Sequence, residues 1–513
     1  MRIWSDAAGT APSADELPAN EQAAASGSIF GQMIVFVRQH WLKMLAISAG
    51  LLAPCFWHRR IEATDLGSHL YNTWLAQLIE RGQAPGLWIA RQWSNVLFDL
   101  LLARLSAAFG LWTAEKIAVC IAVLVFFWGA FALASAAARR APWSLAPLFA
   151  MIAYGWTFHM GMFNFYLALG LSFFSLAIFW RGNGWERIAA AALAPLVLMA
   201  HPLGMAWLLG AAAYIGIAEK VPLRYQLLVS LAAVGVLFAA HQYVADHYSV
   251  QWGSAPLSVY NGTDQLYLFG ARYRILAYAL LGFVLMCLSV DAFARRHEPR
   301  FWTQMILPLQ LYAVLEIGIA LAPLVMELPQ YAGSVGLLAH RFTSVSAVLV
   351  CCLLGCVRPR RWHAAGFAGV ALVFFWFVYK DTATVNKMEE QVERLVRMLP
   401  PGQRVVATIW PFRGSRVLIH HIVDRACIGH CFSYGNTEPA SRQFRVRALP
   451  GNAFVAARSE DCNSIELGNY IVKPADLPMY QVYQCTLAMT DLCMRELEAG
   501  ERNGRIGLHP AGR

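Results

Sequence analysis

Residues 115–138 read EKIAVCIAVLVFFWGAFALASAAA, and the pair Arg139-Arg140 follows directly. The hydrocarbon core of a bilayer is about 30 Å thick, so a helix that crosses it needs roughly 17–25 apolar residues. Because every backbone polar group must be satisfied inside lipid, such a run has to be helical. The stretch therefore predicts a membrane-spanning helix with a basic end.

The composition of the whole chain agrees with that prediction. Of 513 residues, 58% are hydrophobic and 14% are charged, whereas soluble domains carry about 25% charged residues. A soluble globular enzyme, a disordered chain and a small disulfide-rich protein are excluded on this basis. The net charge of +10 is spread over short clusters between apolar runs and forms no single patch, so we expect no nucleic-acid partner.

Eleven apolar runs are candidates for membrane spans. They are residues 43–57, 115–138, 143–158, 161–180, 187–200, 203–218, 225–242, 274–293, 302–325, 341–357 and 362–379. The first run is short and contains Pro54, and only His201-Pro202 separates the fifth run from the sixth. If that pair is a kink and not a turn, the count falls to ten and all later orientations invert.

Short basic clusters decide between these two counts. With eleven spans and a cytoplasmic N-terminus, all of these clusters fall on one side of the membrane. They are Arg139/Arg140, Arg181/Arg187, Lys220/Arg224, Arg295/Arg296/Arg300 and Arg358/Arg360/Arg361. Basic loops mark the cytoplasmic side, so we predict a cytoplasmic N-terminus and an extracytoplasmic C-terminal region.

The predicted fold class is a polytopic α-helical membrane protein of about 11 transmembrane helices with a C-terminal extracytoplasmic α/β domain. Residues 1–30 form a predicted disordered cytoplasmic leader, residues 31–380 the transmembrane domain with its outer loop 58–114, and residues 381–513 the α/β domain. Amphipathic helices are expected at 67–81 and 95–110, the second at the membrane interface. In the tail we expect a helix at 388–399 and strands at 404–410, 468–472 and 481–486.

Five of the eleven cysteines lie in the tail. Disulfides are permitted there if the tail is extracytoplasmic, and both Cys427–Cys431 and Cys485–Cys493 could pair locally, which leaves Cys462 over. A metal site is the alternative, because His420, His421 and His430 lie near Cys431, but these residues lack the usual paired spacing of metal ligands.

The strongest candidate for chemistry lies at the start of the outer loop. Asp65 falls just beyond the first predicted span, with Glu62 before it and His69 one helical turn after it, so that Asp65 and His69 share a helix face. A carboxylate at this boundary suits a general base or a divalent-cation ligand. The alternative is structural, with Thr64 or Asp65 acting as the N-cap of the following helix.

Arginines and histidines at the predicted outer ends of spans need a reason, because basic residues favour the cytoplasmic side. Arg341 opens a span directly after His340, and Arg272 and Arg274 open another, while His201 sits at an outer turn. A planar guanidinium at headgroup depth is suited to bind a phosphate. The alternative is a side chain that snorkels to lipid headgroups.

Two further features have a functional and a structural interpretation. Asn164 begins a span within residues 159–170, where Gly161 and Gly170 allow close helix approach. Glu316 lies in the middle of the ninth span, and an ionisable group at that depth is a functional candidate by default.

These pieces together resemble the C-type (GT-C) membrane glycosyltransferases. The shared outline is an Asp just after the first span, in a large outer loop with amphipathic helices, followed by about ten spans and an extracytoplasmic α/β domain. The spacing of Asp65, His69, Trp74, Gly82, Pro85 and Trp88 looks like the first-loop pattern of uncharacterised bacterial members. Residues 159–170 and the pair His340-Arg341 look like span-entry motifs of the same group.

The resemblance implies a bacterial inner-membrane enzyme that transfers a sugar from a polyprenyl-phosphate donor to a glycan or lipid acceptor on the periplasmic face. Asp65 would deprotonate the acceptor hydroxyl. Glu62 or His69 would orient Asp65 or help to bind a cation. Arg341, with Arg272 or Arg274, would bind the lipid phosphate. Leu66 follows Asp65, where many relatives carry a second acidic residue. The resemblance therefore implies no cofactor with certainty, and a divalent cation remains an open alternative.

Two other functions fit the same pattern. A polymerase or ligase of lipid-linked glycans would place catalysis on the central outer loop, with His247, Arg272 and Arg274. A transporter or flippase would use Glu316 as a coupling group and would not need Asp65. The sequence does not identify the sugar or the acceptor.

Overall fold

The computed structural model describes residues 28–253, 261–419, 421–486 and 489–504, and most of these residues are helical. The helices, numbered in chain order, are α1 (Ile29–Leu52), α2 (Thr64–Glu80), α3 (Leu97–Phe109), α4 (Leu111–Ala138), α5 (Ala146–Ala153), α6 (Trp156–His159), α7 (Phe163–Arg181), α8 (Gly184–Ala190), α9 (Ala194–Ala200), α10 (Pro202–Ala218), α11 (Gln226–His247), α12 (Ala271–Ala294), α13 (Pro299–Leu321), α14 (Leu338–Cys356), α15 (Arg361–Arg397), α16 (Ile422–Cys427), α17 (Glu438–Ser441) and α18 (Ser459–Glu466). The strands are β1 (Leu87–Ile89), β2 (Val250–Gln251), β3 (Val325–Glu327), β4 (Ser334–Gly336), β5 (Arg404–Thr408), β6 (Phe432–Ser433), β7 (Val446–Ala448), β8 (Met479–Gln484) and β9 (Leu492–Leu497).

Long apolar helices dominate the chain. Within the described ranges, seven helices are long and apolar enough to cross a membrane by length and composition, namely α4, α7, α11 with the turn before it, α12, α13, α14 and α15. Helix α10 is apolar but shorter. The prediction of a mostly helical chain with several long apolar helices is confirmed, and this architecture is compatible with a polytopic membrane protein. The predicted count of eleven spans stays a prediction.

Three predicted spans differ in shape from the expectation. The span at 43–57 is the second half of α1, which begins at Ile29, within the last two residues of the predicted leader; residues 1–27 of that leader lie outside the described residues. The charges of Arg38 and Lys43 hid the first half of this helix from a search for apolar runs. The spans at 143–158 and 187–200 are each broken into short helices, whereas the apolar run predicted at 203–218 is the single helix α10.

The pair His201-Pro202 interrupts the helix completely. His201 has an extended backbone (φ −164°, ψ 135°) and is at once the C-cap of α9 and the N-cap of α10. Both α9 and α10 pack against α7. The pair therefore separates two helices and does not merely kink one.

The centre of the bundle is a close crossing of α4 and α7. A Cβ atom at Gly129 would lie 2.3 Å from the Gly170 carbonyl oxygen, and one at Gly170 would lie 2.8 Å from the backbone of Phe126. Small residues let two helix backbones approach in this way. The predicted role of Gly170 in close helix packing is therefore confirmed.

Three of the predicted basic clusters meet at one end of the bundle, called here the basic end. Arg140 donates a hydrogen bond to the Gly355 carbonyl oxygen (2.9 Å), and Arg181 donates to that of Ala136 (2.7 Å). Arg295 donates to the last turn of α14 as well. The last carbonyls of a helix lack partners within the helix, so these arginines cap helix ends. The orientation of this end with respect to a membrane stays a prediction.

The outer loop and the tail form a joint layer at the other end of α4, called here the outer end. Strand β1 from the loop pairs antiparallel with β7 from the tail. The tail also contains a four-stranded sheet of order β6-β5-β8-β9, in which β5 is parallel to β6 and β8, and β9 is antiparallel to β8. Thus the loop and the tail are one packing unit.

The tail differs from its predicted outline in two places. The predicted helix at 388–399 is the end of α15, which is continuous from Arg361 to Arg397, so that the predicted boundary at 380/381 lies inside a helix. The predicted strand at 468–472 is reduced to an isolated bridge between Ile471 and Arg502. The residues at 505–513 of the predicted domain lie outside the described residues.

Candidate functional site

The first turn of α2 carries Asp65. Ala63 is the N-cap of this helix and has an extended backbone, so neither Thr64 nor Asp65 caps it as predicted. The Asp65 main-chain N–H donates to the Met160 carbonyl oxygen (3.1 Å), and 39% of its side chain is exposed. A carboxylate in the first turn also interacts favourably with the helix dipole. Asp65 is therefore held by its backbone while its carboxylate remains accessible.

Two chain segments pack directly on this first turn. Thr64 donates its hydroxyl to the Leu418 carbonyl oxygen (2.5 Å), and a Cβ at Gly67 would lie 2.6 Å from the His421 carbonyl oxygen. Gly161 also lies against this turn: its φ is +76°, and a Cβ atom added to it would lie only 2.5 Å from the Asp65 nitrogen. Residues with larger side chains would push the tail or the loop before α7 away from Asp65.

His421 is the nearest ionisable group to Asp65 that the structure reveals. Its Nε2 lies 3.8 Å from Asp65 Oδ1, and its Nδ1 lies 2.9 Å from Asp424 Oδ2. Burial alone lowers the pKa of His421, but the carboxylates of Asp424 and Asp65 outweigh it and raise the pKa to about 9. His421 is therefore an imidazolium at neutral pH.

His69 belongs to a different cluster from the one predicted. Its Nδ1 lies 2.7 Å from Asp99 Oδ1 and 3.9 Å from Glu438 Oε1, while Asn164 donates to Asp99 Oδ2 at 2.8 Å. Burial lowers the pKa of His69, and the Asp99 carboxylate more than compensates, which gives a pKa of about 9. His69 thus joins α2, α3 and α17, and it does not hydrogen bond to Asp65.

The amide of Asn164 is fully used inside the protein. Besides its bond to Asp99, it accepts the Phe98 main-chain N–H at Oδ1 (2.8 Å). The structure therefore favours the structural interpretation of Asn164, which fastens the start of α3 to the start of α7.

Glu62 is also separate from Asp65. Its carboxylate is buried and accepts a hydrogen bond from Asn386 on α15 (2.6 Å). Burial, and then the charge of Glu389, raises the pKa of Glu62 well above its usual range. Arg425 lies in the same buried network, where it donates to Glu389 and to the Ile61 carbonyl oxygen. The predicted role of Glu62 in orienting Asp65 has no contact to support it.

His201 and Arg341 meet at the outer end. Leu203 donates its main-chain N–H to His201 Nδ1 (3.1 Å), so in the neutral ring the hydrogen is on Nε2. Burial, and then the charge of Arg341, lowers the pKa of His201 well below its usual range, which keeps the ring neutral. Its Nε2 lies 3.4 Å from Arg341 Nη1. A guanidinium has no acceptor, so two donors face each other.

A second donor of Arg341 also faces no acceptor among the described residues. Arg341 Nε is buried and has no hydrogen-bond partner in the described part of the chain. The Phe165 ring packs against both groups, 6.0 Å from the guanidinium carbon and 5.3 Å from the imidazole centroid. Asp65 interacts electrostatically with Arg341. An anion oxygen beside the pair, within hydrogen-bond distance of both nitrogens, would accept from both donors.

The other predicted phosphate ligands lie elsewhere. Arg272 pairs with Asp381 on α15, and the Tyr273 hydroxyl donates to the same carboxylate (2.6 Å). Arg274 is exposed. The His340 ring lies 5.6 Å from that of Trp156. Arg272 is therefore paired with a carboxylate of α15 and not with the groups around Arg341.

The described residues around Asp65 form no cluster of metal ligands. Among them, no group of three or more His, Cys, Asp and Glu side chains is placed to hold a metal ion. In the tail, Cys427 is bonded to Cys431 and Cys485 to Cys493, so Cys431 offers no thiolate. His420, which the metal hypothesis included, lies outside the described residues.

Sequence reasoning missed four residues of this region. His421 was considered only as a metal ligand, and Asp99 only as part of the amphipathic helix expected at 95–110, while Asp424 and Glu438 were not considered. All but Asp99 lie more than 350 residues from Asp65 in the sequence, and no local spacing connects them to it. The one available signal was the appearance of acidic and histidine residues in segments otherwise expected to be buried.

Comparison of the chain with protein family models, with curated proteins and with solved structures gave no match.

Proposed function

We propose that this chain transfers a sugar from a polyprenyl-phosphate donor to an envelope glycan or lipid acceptor at the outer face of the bacterial inner membrane. One observation carries the proposal. The accessible Asp65 carboxylate and the facing donors of His201 and Arg341 lie at the same end of the helix bundle, within electrostatic range of each other. A base and an anion site are the two groups that such a transfer needs.

The proposed topology has eleven spans, a cytoplasmic N-terminus and a periplasmic α/β tail. The two disulfides of the tail support this orientation, because disulfides persist in oxidising compartments and are rare in the cytosol. The arginines of the basic end would then face the cytoplasm, in agreement with the bias of basic residues toward that side.

In the proposed reaction Asp65 accepts the proton of the acceptor hydroxyl. The hydroxyl oxygen forms a bond to the anomeric carbon of the donor sugar as the bond from that carbon to the phosphate oxygen breaks. Polyprenyl phosphate leaves with the electron pair, and Arg341 and His201 donate hydrogen bonds to its phosphate. A lipid-linked donor presents this phosphate at the membrane surface, where the bundle ends.

The test is the variant Asp65→Asn, which keeps the shape of the side chain and removes the base. We expect transfer to fall by roughly 10²–10⁴-fold, the usual contribution of general acid–base catalysis, with no change in thermal unfolding. Mass spectrometry of lipid-linked sugars and envelope glycans would compare cells that contain the wild type, the variant or no protein.

Asp246→Asn is the matched control, because Asp246 is an exposed aspartate at the end of α11. This variant is expected to retain full transfer. Wild-type product levels in the Asp65→Asn cells would contradict the proposal. The polymerase or ligase alternative instead needs Arg272, so a loss of product confined to Arg272→Gln would favour that alternative.

A transporter remains a second candidate because of Glu316. One of its carboxylate oxygens is buried in α13 and has no hydrogen-bond partner in the ranges described. Substrate movement across reconstituted vesicles that is lost in Glu316→Gln and retained in Asp65→Asn would favour this function over transfer.

A further inference from the structure

The tail supplies the group that faces Asp65. His421 lies between two carboxylates, with Nδ1 at 2.9 Å from Asp424 and Nε2 at 3.8 Å from Asp65. The first contact has hydrogen-bond geometry, and the second is an ion-pair distance. The imidazole is therefore anchored on one side and directed toward Asp65 on the other.

The anchor itself is well held. Asp424 lies in α16, is buried, and accepts the Ser433 hydroxyl at 2.5 Å. On the other side the main chain of His421 contacts Gly67, and Leu418 accepts the hydroxyl of Thr64, so the segment is seated on the first turn of α2. The contact of its ring with Asp424 and the contact of its main chain with Gly67 together fix the position of His421 relative to Asp65.

Charges around His421 are mostly negative. Asp65 on α2, Asp424 on α16 and Glu466 on α18 all act on it electrostatically. Glu62, Glu389 of α15 and Arg425 of α16 line a cavity of about 20 Å³ that His421 shares with them. This volume is about the space for one water molecule. The positive form of the ring is the one that this environment favours.

We propose that His421, oriented by Asp424, is the positioning residue for Asp65, so that the tail completes a site that the outer loop begins. This inference rests on the proposed function for its consequence in catalysis. The contact between His421 and Asp65 does not depend on that function, and it can be measured separately.

The contact is tested by NMR on protein labelled at the histidine Cε1 carbons in nanodiscs, with His421→Gln used to identify the His421 signal. We expect His421 to titrate near pH 9 in the wild type and at lower pH in Asp65→Asn, because a negative neighbour is removed. The same titration midpoint in both proteins would overturn the inference whatever the activity of the enzyme.

The consequence is tested by the kinetics of sugar transfer. In His421→Gln we expect kcat to fall roughly ten- to hundredfold, the scale of a lost interaction with a charged group, while KM for the lipid donor stays unchanged. In the wild type, transfer should decline above about pH 9. In His421→Lys this decline should move to higher pH, since an amine loses its proton near pH 10.4.

His430→Gln is the matched control, because His430 is a tail histidine whose ring contacts the Leu399 carbonyl oxygen and lies in no contact with Asp65. A wild-type kcat and pH profile in His421→Gln, together with an inactive Asp65→Asn, would overturn this inference alone. Full activity in Asp65→Asn would overturn the proposed function, and the NMR titration would still decide whether the two side chains interact.

Discussion

Arginines close the two ends of the helix bundle in different ways. At the basic end, Arg140 and Arg181 donate to main-chain carbonyls in the last turns of helices, which otherwise lack partners. At the outer end, Arg341 faces another donor, His201, and its Nε has no partner in the described part of the chain. The same residue type therefore donates to main-chain acceptors at one end and faces a second donor at the other.

The carboxylates of the two ends differ in their accessibility. Asp291 at the basic end is fully buried: its Oδ2 pairs with Arg295 at 3.3 Å and accepts the Arg358 main-chain N–H at 3.2 Å, while its Oδ1 lies 3.8 Å from Arg360. Asp65 at the outer end is accessible and has His421 at 3.8 Å. A carboxylate that solvent can reach can also be reached by a ligand, so the end with the accessible carboxylate is the end where a ligand is expected.

The largest expected effect is a loss of stability when the buried ion pairs between the tail and the rest of the outer end are broken. Arg425 is buried, lies 3.1 Å from Glu389 and 3.5 Å from Glu115, and donates to the Ile61 carbonyl. Arg425→Met would leave the buried Glu115 without its ion-pair partner among the described residues and would remove one of the two arginines that pair with Glu389, and breaking a buried pair typically costs about 3–5 kcal/mol. We expect a large fall of the apparent melting temperature in detergent.

The control for this variant is Arg458→Met, which removes an exposed arginine of the same tail and is expected to change stability by about 0.5 kcal/mol or less. A fall in melting temperature equal to that of Arg458→Met would mean that the buried network does not hold the tail on the outer loop.

A second prediction compares the two kinds of arginine directly. Arg341→Gln should weaken binding of polyprenyl phosphate roughly ten- to hundredfold, because charge-assisted bonds to the phosphate are lost, and should leave the melting temperature unchanged. Arg140→Gln should do the reverse, since it uncaps α14. Calorimetric titration in nanodiscs and thermal unfolding would measure both properties. If both variants lost only stability, the distinction between the two ends would be wrong.

The smallest expected effect concerns Glu62. Because its pKa is raised in the folded protein, the unfolded chain loses this proton first as the pH rises above the usual value of 4.5. Stability from this group is therefore present at low pH and declines as the pH rises toward its folded pKa. Glu62→Gln mimics the protonated form and should remove that decline.

Melting temperatures measured between pH 4.5 and pH 8 would test this prediction. We expect Glu62→Gln to be more stable relative to the wild type at pH 8 than at pH 4.5, with sugar transfer retained. A large loss of transfer would restore Glu62 to the catalytic group that the sequence suggested.

Much of the helical framework could be predicted because membrane spans are local. A run such as residues 115–138 carries its own evidence in length and composition, and it lies within α4. Prediction was weaker where helices are short or broken. A Gly at 155 separates α5 from α6, and a Pro at 195 lies in the first turn of α9, and neither residue reduces the hydrophobicity of its run.

The candidate site was predicted only in part. Asp65, Arg341 and His201 lie at helix ends, where sequence patterns are informative, and the structure places all three at the outer end. The partners of His69 and Glu62 were wrong, because burial and packing chose them. His69 shares a helix face with Asp65 in principle, yet Asp99 on α3 is much closer to its ring.

From the sequence alone follow the long apolar helices, the clustering of basic residues between them and the candidate role of Asp65, because each depends on residues that are near each other in the chain. The partners of those residues depend on contacts between distant segments. Only the tertiary structure brings His421 of the tail to Asp65 of the outer loop and sets His201 against Arg341, since hydrogen bonds and ion pairs act over a few ångströms whatever the distance along the sequence.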